Sequence, residues 1–358
     1  MKKLLIVLFA FIFISDISAQ DKQDYKFVHP LPQSNNLRKI KMIDANTWFA
    51  IGANGTFMRT TNAGVNWYFH HFAGKISATL STTQNYDLWF FNVNTGIVVG
   101  DQGYIGRTTN GGVNFDSVGL GLIPSNSRCW AVWFADSNTG FIGAGSQSSF
   151  TSNILKTTNG GINWTSVYSS ATNYINNLGG IDAQNVMGSW SNGTLVRTTN
   201  GGINWTETPN SLMPSAYNIS FLNSTTGFAA GAEGKARRTT NGGTTWDSLN
   251  IPSMGWAIFQ IKIVSATEIY AVGDPSFLYK STDLGTNWIG MPITVPNVYP
   301  YIWYSVDKSG SNLIISGDYG IVAKSTDGGT TWLSNNIQYN TQIMNDVFIM
   351  PNSGKMWY

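Results

Sequence analysis

The sequence predicts an all-β propeller of about seven four-stranded blades, and three observations carry that prediction. An eight-residue box recurs seven times, and the aromatic residues that end successive copies stand 41 to 49 residues apart. Such a period, with turn residues at its centre, is the signature of a repeat array. Between the boxes, short runs alternate apolar and polar residues and are bounded by Gly/Asn turns, which is the strand pattern. Composition agrees: 38 glycines, 13% aromatic and only 11% charged residues, with no segment of helical periodicity. Four short strands per forty-odd residues, repeated radially, make a propeller; the alternative is eight blades with an incomplete last one.

The box explains itself chemically. Position one is Thr60, Thr108, Thr157, Thr198, Thr239, Ser281 or Ser325, and position three is Asn62, Asn110, Asn159, Asn200, Asn241, Asp283 or Asp327. Short side chains of these types accept hydrogen bonds from backbone N–H groups one or two residues on. Position five is Gly64, Gly112, Gly161, Gly202, Gly243, Gly285 or Gly329, as a positive φ or a close chain approach requires. Position eight is Trp67, Phe115, Trp164, Trp205, Trp246, Trp288 or Trp332, a side chain directed into a core; truncating such a buried tryptophan costs about 3–5 kcal/mol.

Ser/Thr-x-Asp/Asn-x-Gly-x-x-Trp resembles the Asp-box, or BNR repeat, of sialidases and other β-propellers. The longer unit from Gly96 to Arg107, running into the box at Thr108, is similar to the repeat of the photosystem II assembly and stability factors, which is also found in secreted bacterial proteins. The similarity spans roughly residues 25–358. It implies a sialidase-like superfamily fold in which the box is a structural turn between the third and fourth strands of a blade, remote from the ligand face. Asn in five of seven boxes departs from the consensus and weakens a cation-site reading.

Taken in order, residues 1–19 read as a signal peptide: Lys2 and Lys3 precede an apolar run from Leu4 to Ile14, ending at a small residue, Ala19. That run is too short to span a bilayer, so export to the periplasm, cell surface or medium is expected, with no transmembrane segment in the mature chain. Residues 20–342 form the propeller. The single cysteine, Cys129, has no internal disulfide partner and is read as buried and inert. A formal net charge of +2 without a Lys/Arg run excludes nucleic acid as the expected partner. Trp130, Val132 and Phe134 alternate before the Asn138-Thr139-Gly140 turn, as do Tyr217, Ile219 and Phe221 before Thr225-Thr226-Gly227. Gly-x-x-Gly turns follow, from Gly52, Gly100, Gly231 and Gly317. Tyr25 to Pro30 reads as an outer strand without its blade. Residues 343–358 read as the start of a further, truncated repeat or as ring-closing strands, and the sequence is expected to be cut short there.

The turns between strands two and three and those between blades share the face opposite the boxes. On that face are expected Asp101, Glu233, Asp274 and Asp318, with Arg128, Trp190, Trp256, Tyr301 and Trp303. Facing carboxylates are what a glycosidase needs, but Asp-Gly turns also need no function beyond turning. Tyr68, Phe69, Phe72, Tyr299 and Tyr304 join the aromatic set, which either presents a binding surface or caps the core from above. A sialidase arginine triad is not identifiable: Arg59, Arg107, Lys156, Arg197, Arg238, Lys280 and Lys324 each precede a box and form a repeat-locked girdle, expected to stack on box tryptophans. Only Arg38, Arg128 and Arg237 escape the pattern. His29, His70 and His71 offer no zinc spacing, and phosphate, nucleophile-elbow and dinucleotide motifs are absent. No cofactor, metal or catalytic residue is expected. The leading expectation is an exported non-catalytic scaffold for a protein or glycan partner; the runner-up is a glycan-active hydrolase using carboxylates on the loop face.

Overall fold

Seven consecutive meanders, each of four antiparallel strands hydrogen-bonded in chain order, are arranged around one axis. The computed structural model describes residues 35–71, 84–171, 173–209, 212–213, 215–252, 256–293, 302–334, 348–349 and 356–357; the expected signal peptide, and the stretch from Tyr25 to Pro30, lie outside them. The blades span 37–71, 85–117, 128–170, 175–208, 216–249, 257–290 and 303–334 and are numbered 1 to 7 in that order. Second strands such as Gly96–Gly100 and Gly227–Gly231 are buried along their whole length, because each is sandwiched between neighbouring blades. Fourth strands such as Asp116–Ser117 and Thr206–Thr208 are exposed. Cys129 is fully buried in the core shared by blades 2 and 3, and burial pushes its thiol up, away from the reactive thiolate.

The first strand of blade 7 packs directly against that of blade 1, so seven blades complete the ring and the eight-blade alternative falls. Closure is made by side chains rather than by strand exchange. Ser305 Oγ accepts the Ile40 N–H (3.3 Å) and Asp307 Oδ2 accepts the Met42 N–H (2.8 Å). Asp307 also binds Lys262 Nζ of blade 6 (2.6 Å) and Lys41 Nζ of blade 1 (3.4 Å). Phe348–Ile349 and Met356–Trp357 pair with each other as a separate two-stranded sheet.

The box joins the third and fourth strands in every blade. In blade 4, Thr198 Oγ1 accepts the Gly202 N–H (2.9 Å) and Asn200 Oδ1 accepts the Asn204 N–H (2.9 Å). The fifth-position glycines take φ between 79° and 95°, a region that L-residues avoid. At Gly112 a Cβ would also meet the Phe57 ring at 2.2 Å.

The girdle of basic residues links box to box. Arg59, Arg107, Lys156, Arg238 and Lys324 each donate to the fourth-position carbonyl of the next box: Gly111 (3.4 Å), Gly160 (3.1 Å), Gly201 (2.7 Å), Leu284 (2.8 Å) and, across the closure, Ala63 (3.3 Å). Arg197 reaches the Thr244 hydroxyl and Lys280 pairs with Glu268. The expected stacking on box tryptophans is therefore corrected. Arg59, Lys156 and Lys280 lie over Phe49, Phe141 and Tyr270, which are their direct cross-strand partners on the second strand.

Candidate functional site

The first strand of every blade carries a register shift that skips its second or third residue. The skipped residues are Arg38, Tyr86, Trp130, Asn176, Tyr217, Phe259 and Tyr304. A bulge disrupts the ladder and re-aims a side chain, and here it does so seven times at one height. The result is an aromatic collar around one mouth of the central channel. Tyr86 meets Trp130 (ring centroids 4.5 Å apart) and Trp130 meets Tyr174 (6.2 Å). Across the ring, Tyr217 meets Phe259 (5.3 Å) and Phe259 meets Tyr304 (4.9 Å). Arg38 completes the chain, its guanidinium 5.4 Å from the Tyr304 ring and 5.8 Å from Tyr86. The Arg38 side chain forms no hydrogen bond or ion pair among the described residues.

In five blades the residue after the bulge accepts a hydrogen bond from the neighbouring blade. Asp87, Asn177, Asn218, Gln260 and Ser305 accept the N–H of Val132, Ile219, Ile261, Val306 and Ile40 at 2.8–3.3 Å. Backbone donors beside the bulges thereby find acceptors, as buried N–H groups must. Below this belt the channel holds a cavity of about 320 Å³, which Lys39, Lys41, Lys262, Asp87 and Asp307 help to line. Burial alone would raise the Asp307 carboxyl, but Lys262, Lys41 and the Met42 N–H together hold it below the usual carboxylate range. Burial lowers Lys41 in spite of Asp307.

Two carboxylates bracket collar tyrosines. Asp101 Oδ1 accepts the Tyr86 hydroxyl (3.0 Å) and pairs with Arg128 Nε (3.0 Å), while its Oδ2 accepts the Gln84 N–H (2.8 Å). Asp318 repeats this in blade 7, binding the Tyr304 hydroxyl (2.9 Å) and the Ile302 N–H (3.3 Å). Arg128 also lies 5.3 Å from the Trp130 ring. These contacts place the turn between strands two and three beside the connection between blades, as expected, and the boxes beside the opposite turns, where the Ala63 N–H donates to Asn46 O.

Of the residues expected on the loop face, Asp101, Arg128 and Asp318 reach the collar. Glu233 pairs with Lys235 on the surface. Burial and then the neighbouring Asp318 carboxylate push Asp274 up. Trp256 is 69% exposed. Trp190 and Trp303 are corrected: both are buried core residues, because each lies on a strand that its neighbouring blade covers. Tyr301, Tyr299, Phe72 and His29 lie outside the described residues, and His70 and His71 fall on the fourth strand of blade 1. Among the described residues no group of three or more His, Cys, Asp or Glu side chains could hold a metal ion, and no helix is long and apolar enough to cross a membrane.

Sequence reasoning missed Arg38, Tyr86, Tyr174 and Phe259, and assigned Trp130 and Tyr217 to core alternation. Val132, Phe134 and Ile219 are indeed core, but the bulge takes Trp130 and Tyr217 out of phase with them. The signal was present as an aromatic or Arg two positions before a buried apolar residue on the first strand of several blades.

Residues 205–339 match a family model described as photosynthesis system II assembly factor YCF48. The chain is a seven-bladed propeller whose repeat resembles that family's. Solved structures agree on the fold: YCF48 bound to a D1 peptide is 19% identical, with a TM-score of 0.65 over 82% of this chain and 92% of that one. YCF48 from Cyanidioschyzon merolae is 20% identical, with a TM-score of 0.64 over 82% and 97%. A GH74 xyloglucanase from Xanthomonas campestris is 11% identical, with a TM-score of 0.63 over 86% of this chain but 55% of that one. No curated protein matches the chain in sequence.

Proposed function

We propose that the protein is an exported binding scaffold that holds a polypeptide partner across the aromatic collar. The observation that carries this reading is the set of seven aligned bulges, which spends backbone regularity to present five aromatic rings and Arg38 at one mouth. Bulges of this kind cluster where a side chain must be re-aimed for function, and Tyr, Trp and Arg are the side chains that dominate protein recognition. Trp256, Tyr319 and Phe150, each more than half exposed, extend the same face outward. That the similar YCF48 is known with a bound D1 peptide supports a peptide-binding mode. Export rests on the Lys2-Lys3 and Leu4-to-Ile14 pattern and is tested by finding Gln20 at the mature N-terminus.

A photo-crosslinking residue placed at Tyr217 or Trp256 is expected to capture a protein partner in the source cells. The same probe at Ile203, 79% exposed on the box face, is expected to capture none. Equal capture from both faces, or capture from Ile203 alone, overturns the assignment.

One observation favours a second reading. Burial and then the neighbouring Asp318 carboxylate push Asp274 up, and a pair of neighbouring carboxyls is what glycoside hydrolysis uses. That reading requires turnover of a β-glucan or sialoside that Asp274→Asn abolishes; with no turnover, the scaffold reading stands.

A further inference from the structure

The groove between the boxes of blades 1 and 2 differs from the other box turns. A cavity of about 520 Å³ opens there, lined in part by Arg59, Thr61, Asn62, Asn66, Trp67 and Tyr68, a volume in the range of small-ligand sites. In this blade alone an aromatic residue follows the box aromatic. Tyr68 follows the box tryptophan directly, where the other boxes are followed by Asp116, Thr165, Thr206, Asp247, Ile289 and Leu333. Tyr68 is 54% exposed, and Trp67 is held edge-on against Trp48 at 6.3 Å.

The polar groups around this wall are open. Asn62 Oδ1 is consumed inside the box by the Asn66 N–H (2.8 Å) and the Thr60 hydroxyl (3.0 Å). Its amide NH₂, the side-chain amide of Asn66, and the Thr61 and Tyr68 hydroxyls make no hydrogen bond among the described residues. Arg59 lies over the Phe49 ring, donates to Gly111 O at 3.4 Å and makes no ion pair among those residues. An aromatic flank, two amides, two hydroxyls and a cation with no ion pair among the described residues thus line one short pocket.

We propose that this groove binds a uronic-acid residue of an acidic polysaccharide. The C–H face of the pyranose lies on Tyr68 and Trp67, amphipathic rings suited to such a half-apolar ligand. The ring hydroxyls bond to the amides and to Thr61, which offer both donors and acceptors, and the carboxylate pairs with Arg59. A pocket confined to one box pair fits one or two sugar rings better than an extended peptide. The site is separate from the collar and does not depend on the scaffold reading.

The test is calorimetric titration of the whole protein with oligogalacturonate, oligoalginate and hyaluronan oligosaccharides, with a neutral xyloglucan oligosaccharide and oligoglutamate as comparisons. Saturable binding of at least one acidic oligosaccharide is expected. Tyr68→Ala should weaken it roughly tenfold with unchanged melting, since Tyr68 is exposed. Arg59→Gln should bring acidic and neutral sugars to similar affinity and remove the salt dependence. Tyr217→Ala, in the collar, should leave sugar binding intact. Three results overturn the proposal: no binding of any acidic oligosaccharide, binding that Tyr68→Ala leaves unchanged, or tighter binding of oligoglutamate, which would make the groove an acidic-peptide site.

Discussion

The box face and the collar face are made by the same seven repeats, yet they differ in how their polar groups are used. On the box face nearly every group is answered within the repeat or by the next one: position one binds position five, position three binds position seven, and the girdle residue reaches the following box. On the collar face the corresponding positions hold Arg38, Tyr86, Trp130, Asn176, Tyr217, Phe259 and Tyr304, and no two adjacent blades present the same residue. A turn that satisfies itself can be copied from blade to blade. A surface shaped for something outside the chain cannot be, because a partner is not seven-fold symmetric. On the proposed reading, divergence among equivalent positions marks the recognising face, and repetition marks the scaffold. The first box groove, with Tyr68, is the place where the scaffold side also breaks its own rule.

The largest expected effect sharpens the scaffold side of this comparison. Asp307→Asn leaves Lys41 and Lys262 without their buried anion at the one junction that closes the ring, and should cost about 3–5 kcal/mol, read by chemical denaturation. The Asp307 carboxyl is held below its unfolded value. Its contribution is therefore present above the ordinary carboxylate range and is lost as pH falls through the depressed folded value. The wild-type protein should lose stability more steeply than the variant at the acid end. A variant as acid-sensitive as wild type would show that another group controls that limb.

Glycine substitutions come next. Gly112→Ala and Gly202→Ala both force an L-residue to positive φ, worth roughly 1–2 kcal/mol. Only at Gly112 does the new Cβ also strike a ring, Phe57 at 2.2 Å; at Gly202 the nearest atom is Val167 Cγ2 at 3.4 Å. Gly112→Ala should therefore be the worse of the two by a further ~1–3 kcal/mol. Equal melting losses would mean that the core of blade 1 absorbs the added methyl without strain.

A smaller loss, about 1–2 kcal/mol in total, is expected when Arg107, Arg197 and Arg238 are changed together to Gln, with crosslinking from Tyr217 intact. Normal melting combined with lost partner capture would move the recognising surface to the box side. The smallest effect belongs to Lys235→Gln. It removes an exposed ion pair with Glu233 and should shift stability by less than about 1 kcal/mol.

The boxes, the repeat and its four-stranded unit were legible because each depends on local rules. A positive φ demands glycine at Gly202, an Asx-type turn demands Asn200, and sandwiched strands demand apolar runs such as Gly96–Gly100. The collar was not legible, because a bulge changes which face a residue occupies without changing its identity. Trp130 and Val132 look like one alternating face until the ladder slips between them. Trp190 and Trp303 failed in the opposite direction. Their neighbourhood in sequence is turn-like, and only the adjacent blade covers them.

By itself the sequence determined the repeat, the turn chemistry and the all-β propeller, since all of these follow from contacts within some forty residues. The tertiary structure decided which carboxylates are committed, where Arg38 stands, and how the ring closes. Asp101 and Asp318 belong to Tyr86 and Tyr304, and Asp307 joins blade 7 to Met42 and Lys41, some 265 residues away. The physical reason is that hydrogen-bond and ion-pair partners in a closed ring are chosen by curvature around the axis, which brings the first and last blades together although nothing in their local sequence refers to the other.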